Sequence, residues 1–215
     1  MYEKIVEAIE NEKIIVIVRG AEKEKLIPLA QAMYDGGIRL LEVTFDAKGV
    51  VTDEQTAENI ASLVKHFDGK MLIGAGTVLK ESQVELVKKA GGSFIISPNT
   101  NEGVIKKTRE LGMVSMPGAV TPTEIQQAYE YGASFVKLFP AGNLGPDYVK
   151  AVKAPLSHIK LTAVGGIHDG NMADYLKAGA SGFGIGTNIV DKKLLEAEDY
   201  AGITKLAEKY VAVVK

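Results

Sequence analysis

Short apolar runs recur along the chain, each followed by a charged stretch with helical spacing and then, in most cases, by a glycine. The runs are 14–19 (IIVIVR), 38–44 (IRLLEVT), 70–75 (KMLIGA), 93–97 (SFIIS), 113–116 (MVSM), 134–139 (SFVKLF), 159–164 (IKLTAV) and 181–186 (SGFGIG). Helix-prone segments fill 22–35, 52–67, 80–90, 101–111, 122–131 and 169–178, and an amphipathic segment, MYEKIVEAIE, precedes the first run. Most segments close on glycine, at Gly36, Gly91, Gly112, Gly132 and Gly179. A helix end favours a residue at positive φ there, before the chain turns into a strand. Thr121-Pro122-Thr123-Glu124 and Gly145-Pro146-Asp147 place proline in or beside a first helical turn. Strands apolar along their whole length, alternating with helices, call for a parallel sheet covered on both faces. Eight such units predict a (β/α)8 TIM barrel with an extra N-terminal helix, in one domain spanning 1–215.

Composition narrows the function classes. With 25 Lys plus Arg against 27 Asp plus Glu, the net charge is −2, and no basic run suggests a nucleic-acid groove or a polybasic membrane patch. The chain has no cysteine, which excludes a disulfide framework, thiolate metal ligands and cysteine nucleophiles. No apolar stretch approaches the roughly 18 residues of a membrane span, and the N-terminus does not read as a signal peptide. The cytoplasm is the expected compartment.

In a barrel, chemistry gathers at the C-terminal ends of the strands. Lys137 is the most informative residue there. Period-two alternation puts Phe135, Lys137 and Phe139 on one face of the run and Val136 and Leu138 on the other. A lysine desolvated inside the mouth loses basicity and becomes an amine nucleophile, whereas a snorkelling lysine on a poorly covered strand is the plainer alternative. Glu42 alternates with Leu41 and Val43 and reads as its acid/base partner, or else as half of a structural ion pair with Lys137 or Arg19. Arg19 ends the first run, either as a carboxylate clamp or as a solvated strand end. Gly165-Gly166 and Gly184-Ile185-Gly186-Thr187 fall in the loops after the seventh and eighth strands. Phosphate sites of such barrels are built there, although tight turns also use glycine. His66, His158 and His168 are isolated, read as surface residues and show no ligand spacing, so no metal is expected. No G-x-G-x-x-G follows the first strand, and the 74–77 loop lacks a Walker lysine, so no nucleotide cofactor is expected either.

These residues stand in motifs that resemble the 2-keto-3-deoxy-6-phosphogluconate (KDPG) and 2-keto-4-hydroxyglutarate (KHG) aldolases, together with the 6-phosphogalactonate members of that family. The motifs are LLEVTF around Glu42, GAGTVL at 74–79, ISPN at 96–99, MPGAVTPTE at 116–124, VKLFP at 136–140 and VGGI at 164–167. The resemblance implies a class I carbon–carbon lyase in a homotrimeric barrel that uses neither metal nor cofactor. Its substrates would be phosphorylated keto-deoxy sugar acids, with pyruvate as product. Lys137 would form the Schiff base and Glu42 would shuttle protons. Arg19, Thr77, Pro117 and Gly118 would surround the pyruvate carboxylate and ketone, Phe139 would pack on the pyruvyl unit, and Gly165, Gly166, Gly186 and Thr187 would hold phosphate. Two departures stand out. Asp46 occupies a position where some members carry a carboxylate-binding arginine, a role that passes here to Arg19. Val164 replaces a threonine of the phosphogluconate type, closer to the phosphogalactonate type, and leaves the C4 epimer open. Alternatives on the same barrel are a phosphosugar isomerase or epimerase and a non-catalytic phosphosugar-binding protein.

Overall fold

Apolar runs of five residues or fewer cannot bury themselves, and here each pairs in parallel with its neighbour while a helix returns the chain. The computed structural model describes residues 2–215. A first helix, α1 (Tyr2–Glu12), leads into β1 (Ile14–Val18), α2 (Lys23–Asp35), β2 (Leu40–Thr44), α3 (Asp53–Phe67), β3 (Leu72–Gly76) and α4 (Glu81–Lys89). Then come β4 (Phe94–Ile96), α5 (Glu102–Glu110), β5 (Val114–Met116), β6 (Gly118–Ala119), α6 (Pro122–Glu130), β7 (Val136–Leu138) and α7 (Ala141–Lys153). The chain ends with β8 (Leu161–Val164), α8 (Met172–Lys177), β9 (Gly182–Ile185), α9 (Lys192–Glu196) and α10 (Tyr200–Val214).

The strand order is β5-β4-β3-β2-β1-β9-β8-β7-β6, all parallel. β5 and β6 are two halves of one stave, interrupted at Pro117, which has no N–H to give a ladder. Backbone bonds from Ser134 N to Ser115 O (2.9 Å) and from Lys137 N to Pro117 O (2.8 Å) tie β7 to that stave and close the barrel. The TIM-type barrel expected from the alternation is therefore the observed architecture.

Alternation sorts the side chains into two layers. Outward-facing Val16, Leu41, Ile73, Val136 and Leu138 pack beneath the helices with Leu29, Ile60, Val84 and Val149. Inward-facing Ile15, Leu40, Phe94, Val114, Met116 and Phe135 form a separate inner cluster, into which α1 inserts Ile5, Val6 and Ile9. The extra helix is thus a plug in the lower barrel, and the inner space left for chemistry lies above it.

Two local expectations change and a third holds. Gly36 has φ −77°, and Gly37 carries the positive φ of +94° at the end of α2. Gly36 is small for a different reason: a Cβ there would stand 2.5 Å from Ala207 Cβ and 2.6 Å from Thr204 O on α10. The expected helix at 169–178 begins only at Met172, because residues 168–171 form a turn held by the Asn171 side chain. The helix start expected at Gly145-Pro146-Asp147 is present: α7 is two helical segments that meet at the non-helical Gly145 (φ +80°, ψ 167°), with Pro146 in the first turn of the second.

Candidate active site

Lys137 occupies the middle of β7, the shortest way for a sequence to put one polar group among apolar neighbours. Gly118 and Thr162 are its partners in register on the adjoining strands. Its side chain is 8% exposed and faces inward, with Nζ 5.2 Å from the centroid of the Phe139 ring. Phe139 itself is 41% exposed and stands at the rim.

Glu42, on β2, is 1% exposed, and its Oε2 has no hydrogen-bond partner. Burial pushes this carboxyl above its ordinary range, and the charges of Lys137 and Arg19 only partly offset that push. Among the described residues no ion pair within 4.0 Å joins Glu42 to either base, so a structural salt bridge does not account for its burial. The carboxylate lies over Gly76 of β3. A Cβ on Gly76 would stand 1.5 Å from Glu42 Oε1, so the GAG sequence leaves the space the glutamate fills. A buried, unpartnered carboxyl of raised affinity for protons is equipped to take and return a proton.

Both groups open into one cavity of about 490 Å³ at the C-terminal ends of the strands. Arg19 and Thr77 line it as well, with Arg19 Nη2 donating to Thr77 Oγ1 at 3.3 Å. Phe139 and Val164 form apolar wall, and Gly165, Gly166, Gly186 and Thr187 supply backbone. Ten of the residues singled out from sequence therefore meet in one place. Pro117 and Gly118 do not reach this cavity. They lie buried in the wall, and a Cβ on Gly118 would meet Pro98 O at 2.3 Å, so Pro98 faces the cavity in their stead.

Ile167 and Gly184, from the quoted glycine motifs, line the cavity as well, and so do Ile17 and Asn188, which had no sequence signal of their own. Asp46 stands outside it. Its carboxylate accepts backbone N–H groups of Lys48, Val50 and Val51, which hold its charged form well below the usual carboxylate range and fix the loop after β2. The three histidines are exposed, and among the described residues no three His, Cys, Asp or Glu side chains gather as a metal site. Among the described residues no helix is long and apolar enough to cross a membrane.

A family model described as KDPG and KHG aldolase matches residues 5–206. The chain belongs to this family. Its members are carbon–carbon lyases, and the chain is an aldolase. It is 36% identical over 177 residues (82% of this chain, 83% of the relative) to the 2-dehydro-3-deoxy-6-phosphogalactonate aldolase of Escherichia coli K12. It is 35% identical over 214 residues (98% and 97%) to the 2-dehydro-3-deoxy-phosphogluconate aldolase of Treponema pallidum. The aldolase fold superposes on a crystal structure of KDPG aldolase from Legionella pneumophila with pyruvate captured as a covalent carbinolamine intermediate. That match has TM-score 0.84 and 27% identity, and covers 94% of this chain and 96% of that one.

Proposed function

We propose that this aldolase cleaves 2-keto-3-deoxy-6-phospho sugar acids to pyruvate and glyceraldehyde 3-phosphate through a Schiff base on Lys137. The observation that carries the reading is a buried lysine sharing one cavity with a buried, unpartnered carboxyl and with glycine loops rich in free backbone N–H groups. The free amine of Lys137 attacks the C2 ketone, and loss of water from the carbinolamine gives a protonated imine. Glu42, as carboxylate, takes the C4 hydroxyl proton. The C3–C4 bond then breaks, its electrons pass into the imine, and an aldehyde leaves. The enamine that remains receives a proton at C3 from Glu42, and hydrolysis returns pyruvate and the lysine. Arg19, with Thr77 beside it, holds the pyruvyl carboxylate, and the loops at 165–167 and 186–187 hold the phosphate.

Val164 favours a second substrate alongside the first. It offers the C4 region an apolar surface in place of a hydroxyl, as expected of an enzyme that also cleaves the galactonate epimer. The unphosphorylated 4-hydroxy-2-oxoglutarate supplies the same pyruvyl half and is a weaker substrate. Assembly as a homotrimer and residence in the cytoplasm belong to the same proposal. The test is borohydride reduction in the presence of pyruvate, followed by peptide mass mapping. A pyruvyl adduct on Lys137, lost in Lys137→Arg, is expected; an unmodified protein or an adduct elsewhere refutes the mechanism.

A further inference from the structure

The loop after β8 has an unusual hydrogen-bond economy. Three successive carbonyls are each engaged by a donor from a different element. Gly165 O accepts from Gly142 N at 2.7 Å, Gly166 O from Asn171 Nδ2 at 3.0 Å, and Ile167 O from Asn188 Nδ2 at 3.1 Å. In a trans peptide the C=O and the following N–H point in opposite directions. Fixing the Gly165 and Gly166 carbonyls therefore fixes the N–H groups of Gly166 and Ile167 on the other side. Among the described residues neither N–H has a hydrogen-bond partner, and both residues line the cavity. The third peptide is different: its N–H, on His168, is taken by Asn171 Oδ1 at 2.9 Å.

Among the described residues Asn171 is therefore the one side chain that grips the loop with both ends of its amide. It donates to Gly166 O and accepts from His168 N, which orients two of the three peptide planes. It does so from outside, since it does not line the cavity. The glycines make the arrangement possible, with φ of +84° at Gly165 and +72° at Gly166. They do not make it rigid, because glycine is the residue freest to leave any one conformation. Two adjacent glycines need an external clamp if their N–H groups are to await an anion in fixed directions.

We propose that Asn171 is a positioning residue for the anionic end of the substrate. It orients the Gly166–Ile167 peptide so that Ile167 N–H converges on a phosphate with Gly166 N–H, whose own peptide is held by Gly142 N, and Asn188 secures the next peptide of the same loop. The substrate class rests on the function proposed above; the clamp itself concerns only the binding of a phosphate dianion. Asn171→Ala frees the Gly166–Ile167 peptide and loosens the next one, whereas Asn188→Ala only loosens the Ile167–His168 peptide, which Asn171 still holds. Both are compared with wild type in calorimetric titrations with inorganic phosphate, in kinetics on the phosphorylated keto-deoxy acid, and in the rate of borohydride trapping with pyruvate. Wild type is expected to bind phosphate. Asn171→Ala is expected to weaken it roughly tenfold or more, with a similar rise in KM for the phosphorylated substrate and an unchanged kcat. Asn188→Ala should show a smaller effect of the same kind. Trapping with pyruvate, which has no phosphate, should proceed at the wild-type rate in both variants. Unchanged phosphate affinity in Asn171→Ala overturns the proposal, as does a fall in pyruvate trapping equal to the loss in phosphate binding. If wild type binds phosphate but forms no adduct with pyruvate, the catalytic reading fails while the clamp stands on the titrations. Should Asn171→Ala not fold, Asn171→Ser, too short to reach both Gly166 O and His168 N, takes its place, and wild-type phosphate affinity there is the refuting result.

Discussion

Gly76→Ala tests whether the buried Glu42 carboxyl owes its place to a missing side chain on the next strand. Gly76 lies in β3 outside the left-handed region, so alanine meets no backbone strain there. Its Cβ would instead stand 1.5 Å from Glu42 Oε1, 2.3 Å from Cδ and 2.6 Å from Cγ. Contacts between carbon atoms settle at roughly 3.5–4.0 Å, so the glutamate must swing away or the strands must part. Overpacking of this kind costs about 1–3 kcal/mol. In a Glu42→Ala background all three atoms are gone. The same substitution then replaces a glycine inside a strand, which is worth about 0.5–1 kcal/mol in the opposite direction. The difference is a coupling of roughly 1.5–4 kcal/mol between the two sites. Urea unfolding of wild type, both single variants and the double variant at pH 7 measures it. Turnover of Gly76→Ala should fall at least about a hundredfold, the range for a displaced acid/base group. A coupling under about 0.5 kcal/mol, the level at which independent sites simply add, refutes the reasoning.

Burial raises the Glu42 pKa above its ordinary value of 4.5, so the native state binds this proton more tightly than the unfolded chain does. The stability that Glu42 contributes is then full below about pH 4.5 and is lost as pH rises through the native value. Urea unfolding from pH 4 to pH 8 should show wild type losing stability relative to Glu42→Gln over that window; a gap that moves the other way contradicts the assignment. Gly36→Ala, whose new methyl would meet Ala207 and Thr204 of α10 within 2.6 Å, should cost about 1–3 kcal/mol in thermal unfolding without altering pyruvate trapping. A neutral result there would mean that α10 is free to shift. Side-by-side kinetics on the gluconate and galactonate phospho-acids should give kcat/KM values within about a hundredfold, roughly 2.7 kcal/mol. A preference of several thousandfold would show that another residue supplies the contact Val164 lacks.

Period two was enough to orient Lys137. The same alternation that sends Val136 and Leu138 into the outer layer sends Phe135 into the inner cluster, and Lys137 must follow Phe135 inward. Glu42 was legible for the same reason, being a charge among apolar residues on a strand with both faces covered. What sequence does not show is which groups meet across loops. Asn171 and Asn188 reach the loop after β8 from α8 and from the end of β9, and nothing in their local sequence distinguishes them from ordinary polar loop residues. Pro98 enters the cavity because Gly118 leaves no Cβ in its way, a contact between neighbouring staves that no spacing rule encodes. The Gly36-Gly37 pair shows the same limit. Gly36 announced a helix end, but the residue at positive φ is Gly37, and Gly36 is small to admit α10, a helix nearly the whole chain away.

Barrel closure also has a timetable. β1 pairs with β2 on one side and with β9 on the other, Ile14 facing Phe183, so its second edge stays open until almost the entire chain has been made. That edge is IIVIV, five branched aliphatic residues without a charge or a proline. Long-range parallel pairing is slow to form, and an uncharged open edge is a template for any other strand that arrives first. A nascent or refolding chain therefore competes with its neighbours for β1 until β9 arrives. Yield on refolding should fall as protein concentration rises, even though the finished barrel has no edge at all.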